Sequence, residues 1–261
     1  PESVGFLLRQ GENQKARDLL AKVDPTVHIP ADTQLIAADA KGAGVPMLDL
    51  VKEGRAAGTF LIWVAVFCCQ LMVYALGSWL PKLMAGAGYS LGSSLSFLLA
   101  LNFGGMAGAI AGGWLGDRFS LPKVVVAFFT AGTLAIALLG FKSPMPVLYL
   151  LIFIAGATTI GTQILLYANT AQFYPLAMRS TGLGWASGVG RTGAIVGPLL
   201  GGSLLAAALP LQMNFLVFAI PGLVAALAMG CFILFNRRSA TPLVAPVANP
   251  ANRRAPTAVS G

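Results

Sequence analysis

The chain has 261 residues, of which 56% are hydrophobic and only 10% charged, and its mean hydropathy is +0.77; this balance excludes an ordinary water-soluble domain. The formal net charge of +8 comes from cations gathered outside the apolar runs, so it reads as a membrane-topology signal and argues against a nucleic-acid partner. No Ser/His/Asp set, metal-ligand cluster or phosphate loop is present, and the single histidine, His28, sits in a polar loop between Pro25 and Pro30. The chain is therefore read as a non-enzyme, with no catalytic residue, metal or cofactor assigned.

The first 57 residues read as a cytoplasmic loop. Residues 2–23 place Phe6, Leu7, Leu19, Leu20 and Val23 among basic and acidic side chains, a pattern for one or two surface helices split near Gly11. Residues 25–44 are loop-like, and 47–55 suit a short amphipathic helix leading to the membrane. The chain opens at Pro1 with a cytoplasmic segment already under way, so further sequence is expected upstream.

Apolar runs of about 20 residues, the length that crosses a hydrocarbon layer, then recur at 58–80, 93–115, 123–141, 147–167, 181–208 and 211–235. They predict a six-helix bundle over 58–235, made of two inverted three-helix repeats. Gln70 and Tyr74 in the first span are matched at the same spacing by Gln163 and Tyr167 in the fourth. Trp63, Trp79, Tyr89 and Tyr149 fall near span ends, which suits either the headgroup layer or packing between helices. Cys68, Cys69 and Cys231 lie within spans and act as small hydrophobes. Residues 236–261, rich in Pro, Ala and Asn, read as a disordered cytoplasmic tail.

Orientation follows from the cations. Arg9, Lys15, Arg17, Lys22, Lys41, Lys52 and Arg55 precede the first span, Arg118, Lys123 and Arg179 fall in the second and fourth connections, and Arg237, Arg238, Arg253 and Arg254 follow the last span. Only Lys82 and Lys142 fall on the other side. Both ends of the segment are accordingly expected in the cytoplasm.

Helices in lipid associate through small residues that allow close approach. Gly104, Gly108 and Gly112 form one such stripe on the second span, and Ala186, Gly190, Gly197 and Gly201 another on the fifth. Arg191 lies a helical rise of about 18 Å beyond Arg179, near the middle of the bilayer. A permanent charge there is expected to face a watery cavity or a partner. At 100° per residue Gly184, Ser187 and Gly188 share its side, and the small-residue stripe points elsewhere. Two readings stand: Arg191 holds a substrate carboxylate through paired N–H donors, or it makes a structural ion pair or carbonyl contact. Gln70, Tyr74, Asn102, Gln163 and Tyr167, with Thr159, are polar groups for a substrate or for neighbouring helices. Every Asp and Glu belongs to a cytoplasmic segment, so a proton-binding acid deep in the membrane is not expected from this segment; Asp117 or an upstream acid remains for that role.

The second cytoplasmic turn reads GGWLGDRFSLPK, where Gly113, Leu115, Gly116, Asp117 and Arg118 resemble the G-x-L-x-D-R loop motif of the major facilitator superfamily. Ser120 and Leu121 depart from the later part of that motif. The opening PESVGFL resembles the PES-x-R-F-L segment after the sixth helix of several branches, with Gly5 in place of Arg. RSTGLGWASGVGRTGAIVGPLLGG, residues 179–202, closely resembles helix eleven of the aromatic acid/proton symporter family. The resemblance implies an all-α membrane protein of the bacterial inner membrane, with this segment the C-terminal six-helix half and an N-terminal half as partner. It implies alternating-access symport of protons with a small aromatic carboxylate such as benzoate or hydroxybenzoate. By motif position it gives gating roles to Asp117, Arg118 and Arg179 and substrate contact to Arg191. The alternatives are a carrier of another small organic anion, a sugar or a drug, and an inactive truncated fragment.

Overall fold

A computed structural model of the chain describes residues 7, 12–23, 47–52, 54–176 and 178–239. Among these residues all regular structure is helical. Two short helices, α1 (Asn13–Val23) and α2 (Met47–Leu50), precede six long ones: α3 (Ala56–Gly86), α4 (Leu91–Arg118), α5 (Leu121–Leu139), α6 (Met145–Phe173), α7 (Arg179–Ala206) and α8 (Leu211–Ser239). Those six are long and apolar enough to cross a membrane, and each coincides with a run read from the sequence. The expected loop at 25–44 and the tail from 240 onward lie outside the described residues. The helix expected over 47–55 is confined to α2, because a turn through Gly54 at φ +76° separates it from α3.

Local chemistry marks the helix ends. Gly88, at φ +95°, turns the chain after α3, and the Tyr89 N–H donates back to the Met84 carbonyl at 3.2 Å. Ser90 then caps α4 by accepting from the Ser93 N–H at 3.2 Å. Pro122 and Pro146 occupy the first turns of α5 and α6, where a missing N–H costs nothing.

The helices pack in a pattern that repeats. α3 packs chiefly on α7 and α8, α6 packs chiefly on α4 and α5, and α5 meets α8. Exchanging α3, α4 and α5 for α6, α7 and α8 maps this pattern onto itself, as paired three-helix units of opposite direction require. Glycine makes both principal seams. A Cβ on Gly104 or Gly108 of α4 would collide with the Phe153 or Ala157 carbonyl of α6. A Cβ on Gly193 of α7 would likewise strike the Phe67 carbonyl of α3, and one on Gly197 would stand 2.5 Å from the Leu71 carbonyl oxygen. Backbone thus lies directly on backbone, where dispersion and Cα–H···O contacts hold helices that gain nothing from leaving lipid.

Two apolar clusters fill the bundle. One gathers Met72, Leu76, Leu80, Phe97, Ile136, Ile152 and Phe215; the other gathers Ile62, Val66, Val125, Phe129 and Phe232. Along α3 they meet at the buried Gln70, and along α6 at the buried Thr158, Thr159 and Thr162. The threonine hydroxyls donate to carbonyls one turn back in their own helix, as Thr159 does to Ala155 at 2.7 Å. The rings near span ends are engaged inside the bundle. Trp63 stacks on Trp185, Tyr89 edges onto Phe97, and the Tyr149 hydroxyl lies 2.6 Å from that of Ser96.

At the end of the bundle where α2 arrives, Tyr174 is buried between α6 and α7. Its hydroxyl donates to Thr59 Oγ1 at 3.0 Å, and Thr59 donates to the Leu50 carbonyl at 2.9 Å. This chain of bonds ties α2, α3 and the α6–α7 turn together. Burial raises the Tyr174 pKa above its ordinary value, against smaller lowering contributions from the Thr59 bond and the Arg55 charge.

Candidate functional site

α7 is the least buried of the spanning helices, and its faces differ sharply. Ala186, Gly190, Gly193, Gly197 and Gly201 are buried against α3. The other side is open: Thr181, Gly184, Trp185, Gly188, Val189 and Thr192 line a shallow groove of about 500 Å³. A Cβ on Gly184 or Gly188 would meet nothing within 4 Å. These two glycines therefore form the floor of a groove, with the Trp185 ring held at its side by Trp63, 6.0 Å away between centroids.

Arg191 is exposed and directly precedes Thr192, which lines this groove. Its depth is fixed by its neighbours. A Cβ on the preceding Gly190 would lie 3.1 Å from Gln70 Cγ, and Cys69, beside Gln70, directs its thiol to the Thr159 carbonyl at 3.6 Å. Gln70, Thr159 and Arg191 thus share one level, where α3, α6 and α7 come together near the middle of the bundle. Gln70 is 2% exposed, and its Oε1 has no hydrogen-bond partner among the described residues. A buried amide oxygen left open costs roughly 1–3 kcal/mol, so its retention at the level of Arg191 needs a reason.

The remaining residues read from the sequence are spread more widely. Tyr74 stands one turn along α3 from Gln70 and is 39% exposed. Gln163 and Tyr167 are half-buried on α6. Asn102 is exposed on α4 and donates to its own helix at the Leu98 carbonyl, 2.7 Å away. Gln70 and Arg191 are therefore brought to one level on the α3–α7 pair, and Asn102, Gln163 and Tyr167 sit on the α4–α6 pair. Asp117 and Arg118 are exposed at the end of α4, with the Arg118 guanidinium 5.7 Å from the Trp114 ring centroid. Arg179 begins α7, and its buried Nε has no hydrogen-bond partner. The ion pairs among the described residues are Lys15–Glu12 and Lys52–Asp49, so Asp117 and Arg179 are not joined in this arrangement.

Thr181, Trp185 and Thr192 were not among the residues read from the sequence. The spacing of Thr181, Trp185, Gly188 and Thr192 puts all four on one helical face, and this was the signal available to find them.

Six helices long and apolar enough to cross a membrane, in paired inverted units with small-residue seams, define a multi-pass membrane protein. The family model of the Major Facilitator Superfamily matches residues 62–259. The chain belongs to that superfamily and is a transporter segment, not an enzyme. It is 40% identical over 252 residues to the benzoate transport protein of Acinetobacter baylyi, which covers 95% of this chain and 54% of that protein. It is 45% identical over 179 residues to the gentisate transporter of Corynebacterium glutamicum, covering 67% of this chain and 40% of the relative. The 4-hydroxybenzoate transporter of Acinetobacter baylyi is 35% identical over 239 residues, covering 88% and 51%. The chain thus spans about half the length of the curated relatives it matches. Among solved structures, the fucose:proton symporter of Escherichia coli superposes with a TM-score of 0.63 at 18% identity, over 84% of this chain and 53% of that one, a likeness of fold.

Proposed function

We propose that this chain is the C-terminal six-helix half of a proton-coupled carrier that brings a small aromatic carboxylate across the bacterial inner membrane by alternating access. The observation that carries the reading is Arg191, exposed at mid-depth beside an open groove. A guanidinium offers paired donors that match a carboxylate, and in a low-dielectric surround it attracts an anion far more strongly than in water. The aromatic ring of the substrate lies along the glycine floor and Trp185, and Gln70, Tyr74, Asn102, Gln163 and Tyr167 supply hydrogen bonds as the bundle changes shape. The relatives carry benzoate, gentisate and 4-hydroxybenzoate by name, each a ring bearing a carboxylate, which supports the choice of substrate class.

The open side of α7 meets an N-terminal six-helix half, so that the groove becomes an enclosed passage. Both ends of the segment, with residues 1–57 and 236–261, lie in the cytoplasm. Asp117, Arg118 and Arg179 close the cytoplasmic mouth by ion pairs that change between the two states. The sequence holds no Asp or Glu at 54–116 or 118–261, so the proton is taken by Asp117 or by an acid of the other half.

The test is uptake of radiolabelled benzoate, under an imposed pH gradient, into proteoliposomes that hold this chain together with its N-terminal half. Arg191→Ala abolishes uptake with folding intact, and Arg191→Lys restores a minor part, because an ammonium supplies charge without the fork. Undiminished uptake by Arg191→Ala overturns the assignment, and uptake indifferent to the pH gradient overturns the coupling.

A further inference from the structure

A second cavity lies at the end of the bundle remote from Asp117 and Arg179. It measures about 390 Å³ and sits where the α3–α4 turn, the α5–α6 turn and the start of α8 meet, with Met84, Tyr89, Leu139, Leu148, Lys142 and Ser143 among its lining. It shares no lining residue with the groove on α7. The volume falls within the range of small-molecule sites, about 300–1,000 Å³.

The walls are built and fixed. Met84, Leu139 and Leu148 are each at most 2% exposed. The Tyr89 ring stands edge-on to Phe97 at 5.7 Å between centroids, and Phe97 packs on Tyr149 at 4.8 Å. Tyr149 is in turn held by Ser96. A ring entering this space meets a thioether, a phenol and two leucines, the surfaces that aromatic groups favour.

Its electrostatics are one-sided. The two cations of this end are Lys82 and Lys142, and no acid exists in any of the turns beside them, since Asp117 is the only acid after residue 53. Lys82 lies over the Trp79 ring, 4.7 Å from its centroid. Lys142 lines the cavity and enters no ion pair among the described residues. An apolar slot with an uncompensated ammonium at its lip selects for a ligand with a flat apolar body and one negative end.

We propose that this cavity is an entry-side binding site for a small aromatic monocarboxylate, in which Lys142 holds the carboxylate and Met84, Tyr89 and Leu148 hold the ring. The inference rests on the substrate class proposed above and adds a second site for it, separate from Arg191. The site gathers substrate from dilute solution before the passage at Arg191 opens to that side.

The test is equilibrium dialysis of radiolabelled benzoate, near neutral pH, against the protein reconstituted in phosphatidylcholine vesicles. The wild type binds at two classes of site. Lys142→Gln weakens one class about tenfold or more, the loss of a charge-assisted bond. Lys142→Arg keeps that class, and Ser143→Phe, which fills the cavity, removes it. The same class survives Arg191→Ala. Acetate and benzyl alcohol, each half of the ligand, compete poorly for it.

A single class that vanishes with Arg191→Ala and ignores the Lys142 and Ser143 changes overturns the second site and leaves the transport reading standing. Competition by phosphatidylglycerol vesicles together with equal affinity for acetate overturns it in favour of an anionic lipid. A wild type that binds no benzoate anywhere overturns both readings.

Discussion

Replacing Gly197 by alanine tests whether the α3–α7 seam is a backbone contact. The new methyl would stand 2.5 Å from the Leu71 carbonyl oxygen and 3.1 Å from the Ala75 nitrogen, both main-chain atoms that no side-chain rotation can move. Ordinary C···O contact begins near ~3.3 Å, so the two helices must part locally by about 0.8 Å. Overpacking of this kind costs roughly 1–3 kcal/mol. Alanine is also a better helix former than glycine by about 1 kcal/mol, and this gain partly hides the cost. Gly188→Ala supplies the control, because it brings the same helix gain with nothing within 4 Å of the methyl. The difference between the two variants isolates the clash. Thermal unfolding in detergent, followed by tryptophan fluorescence, reads it: at roughly 2–4 °C per kcal/mol, Gly197→Ala melts several degrees below Gly188→Ala. Equal melting temperatures for the pair would refute the reasoning, since they would mean that α7 does not rest on the α3 backbone.

Gln70→Leu removes the amide whose Oε1 is buried without a partner; melting temperature holds or rises, and benzoate uptake in proteoliposomes that hold both halves falls, whereas a loss of stability with normal uptake would make Gln70 a packing residue. Tyr174→Phe deletes the bond to Thr59, lowering stability by about 1 kcal/mol in thermal melts. Because burial favours the protonated phenol in the folded state, its contribution is complete below the ordinary value of 10.0 and is lost as pH rises through the raised value. Melting of the wild type between mildly and strongly alkaline buffers therefore falls more steeply than that of Tyr174→Phe, and parallel curves would count against the assignment.

The spanning helices were legible because lipid imposes a length and an apolar composition that no other force imitates. Their ends were not. α6 was expected to stop at 167 but continues to Phe173, because Asn169 and Thr170 end the hydropathy signal without ending the hydrogen-bond ladder. Thr170 even feeds its hydroxyl to the Leu166 carbonyl. α8 likewise runs to Ser239, past its apolar run. Arg191 stood out because a charge in an apolar span is costly and therefore informative. The glycine stripes were visible by periodicity, yet which carbonyl each one meets depends on the register between helices distant in sequence. The Tyr174–Thr59 bond spans 115 positions, and nothing local in either segment announces it. The cavity at Lys142 was hidden for the same reason: three turns form it, and each alone reads as an ordinary connection.

The two tryptophans of α3 give the α3–α7 pair unequal ends. Trp79 donates its indole N–H to the Pro198 carbonyl at 2.8 Å, a directional bond that fixes both distance and rotation. Trp63, nearer the other end, only stacks on Trp185, and its own buried N–H finds no hydrogen-bond partner. Rings in stacked contact slide and tilt at little cost, whereas a hydrogen bond weakens steeply once bent. The α3–α7 pair is thus locked in rotation by a directional bond at Trp79, whereas at Trp63 it rests on ring contact, and the hold on that end comes instead from Tyr174 and Thr59 beneath the start of α7.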